Sequence, residues 1–344
     1  MSIPVISVVL PVYNAGNYLI DSLASILSQS YRDWELICIN DGSNDASPEV
    51  LNWFALQDSR IRVIHQPNRG LVDALNCGLQ HARAPLVARM DQDDIAYADR
   101  LAMQLEFMSN SPATVACGGA ILEMDESAAP LGVQHPRTTH TEICANLLRR
   151  RTGLFHPTAM IRSEALRAVG GYRKQYQWIE DHDLWLRLAL RGELANIERV
   201  VLCYRQHASS ICWQRSQIQR TKMNDLLMEA YQMRGLTVPD ELIVTNTTVR
   251  SPAGPGKWAR AAARGGHPLV ALKHVRRMWQ DKGRQVYAMR MTAEVGVSSI
   301  LGLARRLLTE QSLRVPDFTQ WHRRIANELD SVARFPSSAK PCAA

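Results

Sequence analysis

The sequence predicts an α/β fold in which a mostly parallel sheet is flanked by helices, and three observations carry that reading. Short β-rich runs alternate with longer runs of helical periodicity through the N-terminal part of the chain. Polar residues gather just after the strand-like runs. A chain of 344 residues is long enough for about two domains of roughly 150 residues each, with a sizeable core. Parallel neighbours need helical crossovers, so strand–helix units in series place helices on both faces of one sheet.

The first strand is Ile6–Leu10, rich in β-branched residues and closed by Pro11. A turn at Gly16–Asn17 leads into Tyr18–Ser30, where Leu19, Leu23, Ile26 and Leu27 recur at helical spacing. Glu35–Asn40 (ELICIN) is a second strand, Pro48–Leu56 a helix, Ile61–His65 a third strand, Val72–His81 a helix and Pro85–Met90 a fourth strand.

Composition narrows the class. With 46% hydrophobic and 21% charged residues the chain is an ordinary globular protein, neither collagenous nor mainly disordered. No window approaches the ~18 apolar residues of a membrane span. The N-terminal MSIPVISVVLPVYN has no basic leader and is expected to be a strand, not a secretory signal. Seven cysteines, at 38, 77, 117, 144, 203, 212 and 342, are odd in number and form no C-x-x-C, against a disulfide framework or a structural zinc site. That usage predicts a reducing, cytoplasmic compartment. The charge is uneven: from residue 241 onward 17 Lys and Arg face 7 Asp and Glu, a net +10 that leaves −3 for residues 1–240. Turn-rich RGLTVPDEL and SPAGPGK put a boundary near 235, giving an N-terminal domain 1–235 and a helical, basic region 236–344; the tail SSAKPCAA is expected to fray.

In open α/β sheets the ligand crevice lies beyond the carboxyl ends of the strands. Here Pro11-Val12-Tyr13-Asn14 follows the first strand, Asn40-Asp41-Gly42-Ser43-Asn44-Asp45 the second, and Asp91-Gln92-Asp93-Asp94 the fourth. Each alone reads as a turn or a helix cap, as Asp45 and Ser47 do. The first loop, PVYNAGN, has one glycine and no phosphate cradle, against a dinucleotide fold or a P-loop. Asp91 and Asp93 can instead hold a divalent cation, which prefers oxygen ligands and keeps positions open for substrate phosphates. Alone, D-x-D also fits a solvated turn; beside the other two loops it favours a metal–diphosphate site.

These residues match a family. ISVVLPVYNAGNYL, ELICINDGSNDAS, NRGLVDALNCGL, VARMDQDD and GGYRKQYQWIEDHDLWLRLALRG, in this order across about residues 5–207, resemble the family 2 glycosyltransferases, inverting enzymes with the GT-A nucleotide-diphospho-sugar fold. The resemblance implies that Pro11, Val12, Tyr13, Asn14 and Asp41 hold the nucleotide base, that Asp91 lies at ribose and metal, and that Asp93 ligates Mg²⁺ or Mn²⁺. Arg69, in the NRG opening the third crossover helix, reads equally as a diphosphate contact and as a solvated helix-start arginine.

An inverting displacement needs a base for the acceptor hydroxyl. Glu180 and Asp181 stand in the first turn of a helix that faces Leu184, Trp185 and Leu188 to the core; acids there also serve as caps. The resemblance makes Asp181 the base, Glu180 a positioning residue for acceptor or sugar, and Asp183 structural. His182 stands either against the acceptor or in solvent. His156-Pro157 resembles the family's strand near the sugar and acceptor pocket, a buried hydrogen-bonded histidine being the other reading. His207, closing YRQH, resembles a polar position near diphosphate or metal. Processive synthases of the family carry Q-x-x-R-W and membrane spans. This chain has Trp213-Gln214-Arg215-Ser216 and no span, which predicts single addition.

The C-terminal third carries no family motif. Lys257–Arg290 holds nine Lys and Arg and one acid, and Pro268–Gln280 sets Leu269, Leu272, Val275 and Trp279 on one face with Lys273, Arg276 and Arg277 on another. Attachment to an anionic membrane surface and packing on the catalytic domain fit equally well. No nucleic-acid motif accompanies the charge. The resemblance therefore implies a metal-dependent inverting transferase moving a sugar from a UDP-sugar to a saccharide or lipid-linked acceptor in polysaccharide or lipopolysaccharide assembly, cytoplasmic or peripheral on the inner membrane face. A catalytically inactive scaffold of the same fold is the alternative. A nucleotidyltransferase would need a Gly-rich loop that is absent.

Overall fold

The computed structural model describes residues 3–207, 216–244, 254–280, 285–308 and 313–333. Trp213–Arg215, Cys212, Cys342 and the tail SSAKPCAA lie outside the described residues.

The alternation read from the sequence is present: β1 (Ile6–Val12), α1 (Tyr18–Leu27), β2 (Trp34–Asp41), α2 (Ser47–Gln57), β3 (Ile61–Gln66), α3 (Leu71–His81) and β4 (Leu86–Arg89). Every residue of β1 and β2 is buried, as expected of parallel strands covered on both faces, whereas β3 at the edge is only partly so. Helix α3 crosses β1 so closely that a side chain at Gly78 would collide with Val9. Helix α1 stops at Leu27, three residues early, where Ser28 Oγ donates to the Ala24 carbonyl and Gln29 turns to bond Tyr97.

Among the described residues one sheet contains nine strands in the order β3-β2-β1-β4-β8-β6-β9-β5, with β7 on β6. Here β5 is Ile95–Ala96, β6 Thr114–Met124, β7 Pro130–Gln134, β8 Met160–Arg162 and β9 Glu193–Arg205. From β3 to β4 the pairing is parallel; β8 is antiparallel to β4 and β6, β9 is parallel to β6, and β5 and β7 are antiparallel to their neighbours. The parallel expectation thus holds for the N-terminal half, β3 to β4, and gives way to a mixed sheet beyond it. There the chain makes a β6–β7 hairpin, which needs no helical crossover.

Helices α4 (Arg100–Asn110), α5 (His140–Leu148), α6 (Ser163–Ala168) and α7 (Glu180–Leu188) cover the sheet, and α8 (Ser216–Gln232) follows β9. His156 and Pro157 lie in a short 3-10 turn and not in a strand, the proline occupying a first-turn position where it forfeits no needed N–H.

Helices α9 (Pro255–Arg264), α10 (Pro268–Gln280) and α11 (Gln285–Leu308) enclose a small core of Trp258, Ala262, Ala271, Val275 and Met278 against Leu131 of β7. The apolar face expected for α10 is corrected. Ala271, His274, Val275 and Met278 are buried, while Leu269 and Leu272 are 79% and 54% exposed and Trp279 is also exposed. Its basic residues are divided: Lys273 Nζ donates to Asp125 at 2.7 Å and Arg277 to Glu126 at 2.7 Å, while Arg276 is exposed. The chain then returns to the sheet through α12 (Thr319–Ala333), where Trp321 stacks on Phe54 at 5.3 Å and Ile325 is buried in the main core.

Candidate active site

Three loops at the carboxyl ends of β1, β2 and β4 are stitched together. Tyr13 N donates to Gln92 Oε1, Asn14 N to Ser43 Oγ, Asn44 N to Asn14 Oδ1 and Gly16 N to Asp45 Oδ2, all between 2.7 and 3.0 Å. Asp45 and Ser47 therefore hold the turn, as their residue types suggested. Pro11 and Val12 are buried within β1, so the accessible part of this loop is Tyr13 and Asn14, the latter in the left-handed region at φ 49°.

Asp41 is buried at the end of β2. Its carboxylate accepts from Gln66 Nε2 (2.7 Å), Arg69 N (2.9 Å) and Gly70 N (2.8 Å), fixing the turn that opens α3. A carboxylate has about four acceptor positions, so about one remains on Asp41 for a ligand N–H. The Arg69 side chain is exposed.

After β4, Asp91, Asp93 and Asp94 bring one carboxylate oxygen each within 4.8 Å of one another. Asp91 is ion-paired with Arg89, which is itself buried beneath the loop. Burial, followed by the Asp93 charge, pushes the Asp91 carboxyl up against the lowering effect of Arg89. Asp94 is fully buried; burial and then the charges of Asp93 and Asp91 drive it well above the carboxylate range. Its Oδ1 accepts from Arg205 N at 2.8 Å and its Oδ2 has no partner. His207 Nε2 lies 2.7 Å from Asp93 Oδ2, with its ring 5.3 Å from that of Tyr18. Crowded acidic oxygens with an orphaned buried acceptor are a donor set suited to a hard divalent cation, so the residues fit Mg²⁺ or Mn²⁺.

The N-terminus of α7 lies within reach of the Arg89 charge. Trp178 holds φ 84°, a costly conformation for an aromatic residue, and its N–H donates to Glu180 Oε2 at 2.6 Å. Glu180 is buried, and burial followed by the neighbouring Asp181 charge pushes its carboxyl up to about 7; Asp181 is partly exposed. The Asp181 charge acts to raise the Asp91 carboxyl, and the charges of Arg89, Glu180, Asp181 and Asp91 all act on the Tyr172 hydroxyl, so the β4 loop and the start of α7 lie near one another. His156 is buried with Nε2 2.8 Å from the Tyr172 hydroxyl, and burial followed by the Arg89 charge holds it neutral. His182 is neither in solvent nor at an accessible acceptor surface: it is 8% exposed, with Nε2 2.8 Å from the Leu147 carbonyl, joining α7 to α5.

Glu180 has a consequence for stability. The unfolded side chain ionises near 4.5 and the folded one near 7, so between these values the folded chain holds a proton that the unfolded chain has released. Stability is therefore expected to fall as pH rises through that window, with the loss complete above about pH 7. Glu180→Gln keeps an acceptor for Trp178 and removes the titration. Urea unfolding at pH 5 and pH 8 should show its advantage over the wild type growing with pH; a constant difference would contradict the shift.

Asp183 is structural. It pairs with Arg187 at 2.7 Å and with Arg173, which also meets Glu229 of α8 at 2.6 Å. Removing one partner strands buried charge, so Asp183→Ala is expected to destabilise the fold by about 3–5 kcal/mol, measurable by chemical denaturation.

Arg89, Asp94, Trp178 and Arg205 were not singled out from the sequence. A charge ending each of the apolar runs LVAR and VVLCYR was the available signal for two of them. The strain at Trp178 had none.

The chain matches the glycosyl transferase family 2 model over residues 7–170. It is 35% identical over 193 residues to EpsE of Bacillus subtilis (strain 168), whose name assigns it provisionally to the glycosyltransferases; the match spans 55% of this chain and 68% of EpsE. The glycosyltransferase GlyG of Streptococcus pneumoniae serotype 4 is 38% identical over 114 residues, 33% of this chain and 38% of GlyG. In fold the chain is similar to the mannosyltransferase PcManGT of Pyrobaculum calidifontis, solved with GDP-Man and Mn²⁺, at a TM-score of 0.52, 18% identity and 88% coverage of each chain. It is also similar to S. aureus TarS, at a TM-score of 0.50, 14% identity, 84% of this chain and about half, 53%, of that one. Fold and relatives define a GT-A nucleotide-sugar transferase. The chain belongs to glycosyl transferase family 2.

Proposed function

We propose that the chain transfers a sugar with inversion from a UDP-sugar to a saccharide or lipid-linked acceptor, with Mg²⁺ or Mn²⁺, in assembly of a polysaccharide, lipopolysaccharide or related glycan. The observation that carries this is the meeting of the Asp91–Asp93–Asp94 cluster with Glu180 and Asp181 around the buried Arg89. Asp91 and Asp93 would hold the cation, with His207 orienting Asp93. When bound, the cation supplies charge neutralisation for the departing nucleoside diphosphate. Tyr13 and Asn14 flank the base, and the one acceptor position left on Asp41 suits the single imide N–H of uracil better than the adjacent donors of guanine. Arg69, exposed at the same turn, would contact the diphosphate. Asp181 takes the acceptor hydroxyl proton, and Glu180, tied to Trp178, fixes the turn that presents it. His156 supports the sugar pocket through Tyr172.

Calorimetry with UDP and GDP, in Mn²⁺ and in chelator, tests the donor site. Binding of UDP that needs the metal is expected. A protein that binds no nucleotide in either condition would be the scaffold alternative.

The acceptor side is proposed to sit at a membrane surface on the cytoplasmic side. No helix among the described residues is long and apolar enough to cross a bilayer. Exposed Leu269, Leu272 and Trp279 lie on the α10 face that also carries Arg276, a combination suited to an anionic interface. Leu269→Glu with Leu272→Glu is expected to reduce binding to phosphatidylglycerol vesicles at least about tenfold, since each lost apolar side chain is worth ~1.5 kcal/mol or more, as read by co-sedimentation.

A further inference from the structure

We propose that Arg205 is the positioning residue of the carboxylate loop: from the end of β9 its guanidinium fixes the main chain of Asp93 and its backbone N–H holds the Asp94 carboxylate, while Asp21 and Tyr18 of α1 keep the guanidinium in place. This rests on the reading of that loop as the cation and diphosphate site.

Arg205 is 3% exposed and makes contacts in several directions at once. Its backbone N–H donates to Asp94 Oδ1 at 2.8 Å. Its Nε donates to the Asp93 carbonyl at 2.8 Å, Nη1 to the Glu126 carbonyl at 3.3 Å and Nη2 to Asp21 Oδ2 at 2.9 Å. The guanidinium lies 4.6 Å over the Tyr18 ring. A planar fork of five donors can serve three acceptors in fixed directions, which a lysine ammonium on a flexible stem cannot reproduce. Two residues on, His207 reaches Asp93 Oδ2, so the end of β9 grips the loop by both main chain and side chain.

The far end of the clamp is braced as well. Asp21 Oδ1 lies 2.8 Å from Nε2 of His322 on α12, beside the Trp321 stack on Phe54. Asp21 thus joins the C-terminal helix to Arg205, and Arg205 joins Asp21 to the loop. Carboxylates that must meet a cation within a few tenths of an ångström gain little from being present if their main chain drifts. Partners behind metal ligands typically contribute about 10–100-fold to metal affinity.

The test uses the full chain. Mn²⁺ alone, and UDP in the presence of Mn²⁺, are titrated into the wild type, Arg205→Gln, Arg205→Lys and Asp21→Asn, and thermal unfolding of each is recorded in chelator. Arg205→Gln is expected to weaken Mn²⁺ binding by about 10–100-fold, with Arg205→Lys between it and the wild type. A stability change in chelator would not by itself account for that loss in protein that is still folded. Should Arg205→Gln fail to fold, Asp21→Asn keeps every Arg205 contact to the loop but loosens the guanidinium, and is expected to move Mn²⁺ affinity the same way by a smaller factor. Wild-type Mn²⁺ and UDP affinities in the folded variants would overturn the proposal and leave Arg205 a stabilising residue only. A wild type that binds neither Mn²⁺ nor UDP would overturn the donor-site reading, and this proposal with it.

Discussion

Asp93→Ala is expected to abolish metal-dependent nucleotide binding while leaving the unliganded protein at least as stable as the wild type. The two halves of that result have one cause. The Asp93 charge pushes the carboxyls of both Asp91 and Asp94 up, so in the absence of a cation it is a source of repulsion in a buried loop. Its removal relieves Asp94, whose Oδ2 has no hydrogen-bond partner, at the expense of the contact with His207. With metal and nucleotide present the sign reverses. Ligand at about a hundred times its dissociation constant stabilises the wild type by ~2.7 kcal/mol, and the variant should show none of it. Thermal unfolding of both proteins in chelator and in Mn²⁺ with UDP reads the two effects separately. A variant that keeps the wild-type response to Mn²⁺ and UDP would remove Asp93 from the donor site.

What the sequence made legible, and what it did not, divides along physical lines. Local patterning carried the parallel half of the sheet: the runs at Ile6–Leu10 and Glu35–Asn40 are buried on both faces and so read as continuous apolar strands. The polar segments after them were equally visible because the carboxyl edge of such a sheet is where the ligand crevice forms and polar side chains collect. The mixed half was not legible, since β5 and β8 are two and three residues long and exist by pairing with distant strands. Arg205 illustrates the same limit at the site: its partners Asp21, Asp93 and Glu126 are 184, 112 and 79 residues away, and no local period announces them. In α10 the apolar residues were seen but their face was misjudged. Asp125 draws Lys273 and His274 toward the β6–β7 turn, and those contacts set the rotation of the helix, leaving Leu269 and Leu272 outside.

Asp181→Asn is expected to keep donor binding within a few-fold of the wild type and to lower transfer by about 10²–10⁴, the usual contribution of a positioned base. Two adjacent carboxylates compete for that role, and accessibility decides between them. Glu180 is buried and committed to the Trp178 N–H, whereas Asp181 is partly exposed on the outer side of the same turn, where an acceptor hydroxyl can approach it. The pair is also electrostatically linked, the Asp181 charge being the largest contribution after burial that raises Glu180. Neutralising Asp181 should therefore move the Glu180 titration down toward the ordinary carboxylate range and narrow the pH window over which stability declines. Glu180→Gln, by contrast, is expected to cost less in transfer than Asp181→Asn, because a glutamine can still accept from Trp178 and keep the turn in place. The two variants, assayed side by side for UDP binding, single-turnover transfer and the pH dependence of unfolding, separate proton removal from positioning. A larger loss of transfer in Glu180→Gln than in Asp181→Asn would reverse the two roles.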